Sequence, residues 1–190
     1  MSSKLHIHEL DLNGVFEISP PRFGDERGFF SETYNAKRLA EAGLNHVYVQ
    51  DNHSLSAKKG VLRGLHYQLP PHAQDKLVRV TRGAIFDVAV DIRRSSPTFG
   101  KWVGCEVSAQ KWNQLLVPRG FAHGFVTLEP DTEVIYKVTD FYSPEHERTI
   151  RHDDPDIGIA WPVETAQLQL SEKDRAGLRL AEAEIFALAP

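Results

Sequence analysis

Short stretches rich in Val, Ile, Phe and Tyr recur along the whole chain, and turns or breaks separate most of them. They run Val15–Ile18, Phe29–Thr33, Val47–Asn52, Val61–Tyr67, Lys76–Thr81, Ala84–Asp91, Trp102–Val107, Gln114–Val117, His123–Leu128, Thr132–Val138 and Gly158–Ala160. Short strands at this spacing predict an antiparallel sandwich or barrel rather than βαβ units. Ala84–Asp91 alternates in part, with Phe86, Val88 and Val90 on one face and Asp87 and Asp91 on the other. Only two helices are expected. Asn35 caps Ala36–Ala42 with Gly43 as the stop, and Ser171 caps a helix opening at Glu172, with Asp174 in capping-box position. The tail Arg179–Phe186 is a candidate for more. The 190 residues suit one domain, 1–190, with a helical C-terminal segment at about 171–187. The expected fold is all-β, a jelly-roll barrel with short peripheral helices and a cavity lined by alternate residues of several strands. A packed sandwich without a cavity is the alternative.

Composition narrows the partners. With 41% hydrophobic and 25% charged residues and a formal charge of -4, the chain is an ordinary globular one. It lacks the basic surplus that a nucleic-acid polymer demands. Lys58-Lys59, Lys76-Arg79-Arg82 and Arg93-Arg94 are local positive clusters, suited to a small anion or to plain solvation. Cys105 stands alone, so no intrachain disulfide forms. Met1-Ser2-Ser3-Lys4 is not followed by an apolar stretch of signal-peptide length, and no run approaches a membrane span. A cytoplasmic enzyme or binding protein with no membrane partner is expected.

Chemistry concentrates in Gly60-Val61-Leu62-Arg63-Gly64-Leu65-His66-Tyr67-Gln68. Strand residues two apart share a face and residues three apart do not. Arg63 and His66 therefore enter one cavity only if Gly64 marks a bulge or bend. Pro118-Arg119-Gly120-Phe121-Ala122-His123-Gly124-Phe125 repeats the theme of a histidine among aromatics and glycines. A barrel interior would let Arg63, His66, Lys76, His123 and Tyr136 converge. His66 reads as a core histidine, a metal ligand or a base. It has no His-x-His partner, while His6-x-His8-Glu9 sits at an end expected to fray and His72 has no clear third ligand, so a metal-free site is favoured.

A catalytic histidine needs a second residue to set its tautomer, and Asp174 is the candidate. An Asp at that position also stabilises a helix start by itself. Lys76, facing opposite to Leu77, is either solvated or turned inward to meet developing negative charge. Tyr136 is either strand packing or a phenol able to deliver a proton. Arg27 and Glu32 belong to a turn and edge strand, or else reach a ligand, the arginine as a phosphate fork. Gln50, Asp51 and Asn52 offer amide and carboxylate groups that can read hydroxyls and carbonyls. No Gly-x-Gly-x-x-Gly fingerprint of a dinucleotide cofactor is present.

Several motifs occur together: Phe23-Gly24-Asp25-Glu26-Arg27-Gly28-Phe29-Phe30, Gln50-Asp51-Asn52-His53-Ser54, the two glycine-histidine runs, Phe86-Asp87-Val88-Ala89-Val90-Asp91, Ser96-Pro97-Thr98-Phe99-Gly100, Tyr136-Lys137-Val138-Thr139-Asp140 and Gly158-Ile159-Ala160-Trp161-Pro162. From about residue 14 to about residue 176 the chain resembles the dTDP-4-dehydrorhamnose 3,5-epimerase family. The resemblance implies a metal-free, cofactor-free, cupin-type jelly-roll barrel that acts as a homodimer. The implied reaction is epimerisation of carbons 3 and 5 of dTDP-4-dehydro-6-deoxy-D-glucose to dTDP-4-dehydro-L-rhamnose, within dTDP-rhamnose and lipopolysaccharide biosynthesis. His66 is implied as the base, Asp174 as its carboxylate partner, Lys76 as the enolate stabiliser and Tyr136 as the acid. Nucleotide-sugar contacts carry over to Arg27, Glu32, Gln50, Asp51, Asn52, Arg63, His123, Tyr142, Glu147 and Lys173, with Arg27 and Glu32 expected to cross a dimer. The rival expectations are a single-centre epimerase or ketoisomerase, a metal-dependent cupin oxygenase, and a non-catalytic nucleotide-sugar-binding cupin.

Overall fold

The computed structural model describes residues 4–187. Its strands are β1 (His6–Glu9), β2 (Phe16–Ser19), β3 (Phe23–Asp25), β4 (Gly28–Phe30), β5 (Gln50–Ser56), β6 (Leu62–Gln68), β7 (Lys76–Arg82), β8 (Ala84–Asp91), β9 (Trp102–Ser108), β10 (Gln114–Val117), β11 (Phe121–Thr127), β12 (Thr132–Val138) and β13 (Glu147–Thr149). They form a six-stranded sheet, β1-β2-β10-β7-β12-β5, a five-stranded sheet, β13-β6-β11-β8-β9, and the two-stranded ribbon β3-β4. Every ladder between these strands is antiparallel.

The expected closed cupin-type barrel is corrected here. The fold is all-β, but its two large sheets face one another as separate layers that no ladder joins among the described residues. Backbone valence at β6 explains one open edge. One side of β6 pairs with β11, and the other is taken by β13 and by Ile150 and Gln169. Leu65 exchanges both of its backbone bonds with Ile150, and Leu62 N–H donates to Gln169 O at 3.0 Å. Among the described residues β6 and β5 form no ladder, and the Arg63 guanidinium reaches across to Leu55 O at 3.4 Å.

Alternation divides each strand between two cores. Val78, Val80 and Val134 of the six-stranded sheet meet Ile85, Ala89, Phe121 and Phe125 of the five-stranded sheet between the layers. On the outer face of the five-stranded sheet, Leu65, Tyr67, Val88, Val90 and Ala122 are covered by Leu180, Ala183 and Phe186 of the C-terminal segment. Each large apolar side chain so buried contributes about 1.5–3 kcal/mol.

The two helices are short: α1 (Ala36–Glu41), capped by Asn35, and α2 (Glu172–Arg175), capped by Ser171. The helical segment expected over 171–187 shrinks to α2. Beyond it the backbone groups go to other partners, since Leu178 N–H donates to Thr149 O and Arg151 N–H to Leu178 O. Gly177 also lies so close to Arg151 that an added Cβ would sit 2.8 Å from its backbone nitrogen. Three further expectations shift. His6–Glu9 is a paired edge strand rather than a frayed end, Gly158–Ala160 is not a strand, and β5 starts at Gln50 rather than Val47. Among the described residues no helix is long and apolar enough to cross a membrane.

Candidate active site

One cavity of about 430 Å³ opens between the two large sheets. The five-stranded sheet contributes Arg63, His66, His123, Phe125 and Glu147, and the six-stranded sheet contributes Asn52, Ser54, Lys76 and Tyr136. Ser171, Lys173 and Asp174 come from the start of α2, and Tyr142 from the loop after β12.

The bulge that Arg63 and His66 require is present. His123 pairs with His66 and Phe125 with Arg63, so two steps on β11 face three on β6. Gly64 absorbs the extra residue at φ +129°, and a Cβ there would lie 2.5 Å from Gly124 Cα. Only glycine fits that backbone and that approach. The strand then alternates cleanly, with Leu65 and Tyr67 in the outer core and His66 in the cavity.

His66 Nε2 lies 2.7 Å from Asp174 Oδ1. Burial pushes the Asp174 carboxyl up, but hydrogen bonds from His66, from Ser171 Oγ at 2.6 Å and from Gly64 N–H at 3.1 Å hold it well below the usual carboxylate range. Asp174 is therefore the acceptor and His66 Nε2–H the donor, which leaves a lone pair on Nδ1 of the neutral ring. Burial also pulls the His66 pKa down, outweighing the pull of Asp174 in the other direction. The imidazole is neutral at pH 7 and able to accept a proton.

Lys76 enters the same cavity from the facing sheet, and its ammonium donates to the His66 carbonyl at 3.2 Å. Burial pushes its pKa down to about 8, against the opposing influence of Glu147 and Asp87. Tyr136 neighbours Asn52 across the β5–β12 ladder, and burial raises its phenol above the ordinary value. Glu147 accepts from Tyr142 Oη at 2.9 Å and pairs with Lys173 at 2.5 Å, bridging the mouth of the cavity. Burial pushes the Glu147 carboxyl up, and these two bonds reverse the shift and keep it ionised.

The remaining expected residues lie elsewhere. Asp51 faces the opposite side of the six-stranded sheet, where it pairs with Lys137 at 2.9 Å. Consecutive strand residues alternate faces, so Asn52 enters this cavity while Asp51 points away from it. Gln50 sits at the rim, with Nε2 donating to Asn52 Oδ1 and Oε1 accepting from Tyr142 N–H. Arg27, its side chain 86% exposed, pairs with Asp25 on the β3–β4 ribbon, and Glu32 pairs with Arg38 at 3.2 Å. Neither enters this chain's cavity.

Sequence reasoning missed Ser54, Phe125 and Ser171 in the lining, and Asp87 behind it. Asp87 is fully buried with Oδ1 2.6 Å from His123 Nε2, a second imidazole–carboxylate pair beside the first. Its signal was the alternation of β8, which puts Asp87 opposite to Val88. Among the described residues, no three His, Cys, Asp or Glu side chains group as metal ligands.

The family model described as dTDP-4-dehydrorhamnose 3,5-epimerase matches residues 9–182. A protein of that name from Pseudomonas aeruginosa is 55% identical over 178 residues, covering 93% of this chain and 97% of that one. Another, from Shigella flexneri, is 51% identical and covers 96% and 99%. The crystal structure of dTDP-6-deoxy-D-glucose-3,5-epimerase from Legionella pneumophila, in complex with dTDP-4-keto-L-rhamnose, superposes with a TM-score of 0.91 at 47% identity over 95% of each chain. Sequence and fold agree, and the chain belongs to the dTDP-4-dehydrorhamnose 3,5-epimerase family.

Proposed function

We propose that the cavity performs the family reaction by proton transfer at both carbons beside a ketone. The chain is an isomerase acting on dTDP-4-dehydro-6-deoxy-D-glucose to give dTDP-4-dehydro-L-rhamnose. Carbons 3 and 5 flank the 4-keto group, so loss of either proton gives an enolate with its charge on the carbonyl oxygen. In this reading His66 accepts the proton at Nδ1, and Asp174 stabilises the imidazolium that forms. The Lys76 ammonium neutralises the enolate oxygen; a donor pre-aimed at developing charge is usually the largest catalytic contribution. Tyr136 returns the proton at carbon 5 from the opposite wall. Its raised pKa keeps the phenol protonated at pH 7.

Inversion requires the base and the acid on opposite faces of the sugar. His66 and Tyr136 line opposite walls of the cavity, one on each large sheet. In a chair the C3–H and C5–H bonds are both axial on one face, so a single base can serve both centres. Asn52, Arg63, His123, Tyr142, Glu147 and Lys173 hold the nucleotide sugar in this reading, with Gln50 at the rim. Arg27 and Glu32 lie outside their own chain's cavity, and the ribbon bearing Arg27 exposes Phe23, Phe29 and Phe30. The proposal therefore includes a homodimer of single-domain chains in which that ribbon serves the partner's site. A cytoplasmic location is proposed with it, in keeping with the lone Cys105.

The observation that carries the reading is the His66–Asp174 bond in a cavity that Lys76 also enters. Turnover in heavy water tests it, with the product read by position. Deuterium is expected at carbons 3 and 5, and label at one carbon alone overturns the double epimerisation. His66→Asn is expected to lower turnover by about 10²–10⁴-fold and to abolish label entry. Near-normal turnover in that variant removes His66 as the base.

A further inference from the structure

Residues 140–143 lead from β12 to the rim of the cavity, and no strand pairs with them. Side-chain amides take the place of a ladder. Gln74 Nε2 donates to Asp140 O at 2.8 Å, and Gln68 Nε2 donates to Phe141 O at 3.1 Å. Gln50 Oε1 accepts from Tyr142 N–H at 3.1 Å, and Gln68 Oε1 accepts from Ser143 N–H at 2.8 Å. Four consecutive residues are thus held by three glutamines from three places in the fold. Gln68 is the keystone. It is 4% exposed, lies two residues from His66 on the same face of β6, and spends a further bond on His72 O at 2.7 Å.

The segment so held presents Phe141 and Tyr142 at 63% and 54% exposure. The Tyr142 phenol is held at its tip by Glu147, but on an unpaired backbone the two exposed aromatics would still sample more orientations, and ordering them on binding would weaken affinity. We propose that Gln68 and Gln74 are positioning residues that pre-order this rim for the nucleotide sugar. The ordering cost is then met during folding rather than at binding. Gln68 also ties the rim to the strand that carries His66, so one element registers the proposed base and the rim together. The inference rests on the reading of Tyr142 as a substrate contact.

The test compares Gln68→Met, Gln74→Met and Tyr142→Ala, alone and combined, by calorimetry with dTDP, by kinetics and by amide hydrogen exchange. Gln68→Met is expected to raise the dTDP dissociation constant and KM by about tenfold while kcat changes less than about twofold. In the Tyr142→Ala background the same substitution is expected to add less than about twofold, because the contact it positions is gone. The amides of Tyr142 and Ser143 are expected to exchange slowly in the unaltered protein and faster in Gln68→Met. Unchanged dTDP affinity in folded Gln68→Met overturns the proposal, as does an equal loss in the Tyr142→Ala background, which would signal general loosening. If Gln68→Met does not fold, Gln74→Met decides by the same comparison, with about threefold expected from its one bond. Should Tyr142→Ala itself leave dTDP affinity unchanged, the contact reading fails, while rapid exchange of the two amides in the unaltered protein would separately sink the clamp.

Discussion

At the scale of single residues, the cavity works because burial and pairing push its ionisable groups in opposite senses. His66 is held below 6.5 by burial, and Lys76 is pushed down to about 8 by the same cause. The signs fix the pH profile. Neutral His66 is lost as pH falls through its lowered pKa, and the Lys76 ammonium is lost as pH rises through about 8. A bell-shaped kcat/KM is expected, with the acid limb below pH 6.5 and the alkaline limb near 8. A Lys76→Arg variant that retains activity should lose the alkaline limb, because a guanidinium does not titrate there. Residue types left His66, Lys76, Tyr136 and Asp174 as open candidates, and the family resemblance supplied their implied roles. Residue types gave no sign of Asp87, whose role depends on which face of β8 looks inward.

At the scale of elements, the bulge in β6 decides whether two polar groups share a cavity. A Cβ on Gly64 would meet Gly124 Cα and His123 O, at a φ that side chains avoid. Gly64→Ala is expected to destabilise the protein by about 3 kcal/mol and to cost far more activity than that loss explains. Denaturant unfolding beside single-turnover rates would separate the two effects. The need for this bulge was legible in the three-residue spacing of Arg63 and His66. Alternation was applied less strictly to Gln50, Asp51 and Asn52, and the structure sends Asp51 to the outer face with Lys137. The C-terminal tail looked helical because its local pattern carries no record of Thr149, Ile150 and Arg151, which capture its backbone.

For the whole molecule, the two sheets form a sandwich that holds its site at one opening, and the proposed homodimer would complete that site. Mixing His66→Asn with Arg27→Ala chains checks the dimer directly. If Arg27 serves the partner, random reassociation should restore about a quarter of full activity, from the one intact cavity in each mixed dimer. No recovery would confine Arg27 to its own chain. The amino-acid sequence by itself determined the all-β character, the strands of the central ladders, both helix caps and the family, since these depend on local alternation, capping groups and contiguous motifs. Tertiary structure alone decided that the barrel stays open at β6, that Asp87 backs His123, and that three glutamines hold the rim. Each of these turns on which distant backbone or side chain reaches a donor or acceptor first, and local sequence does not encode that competition.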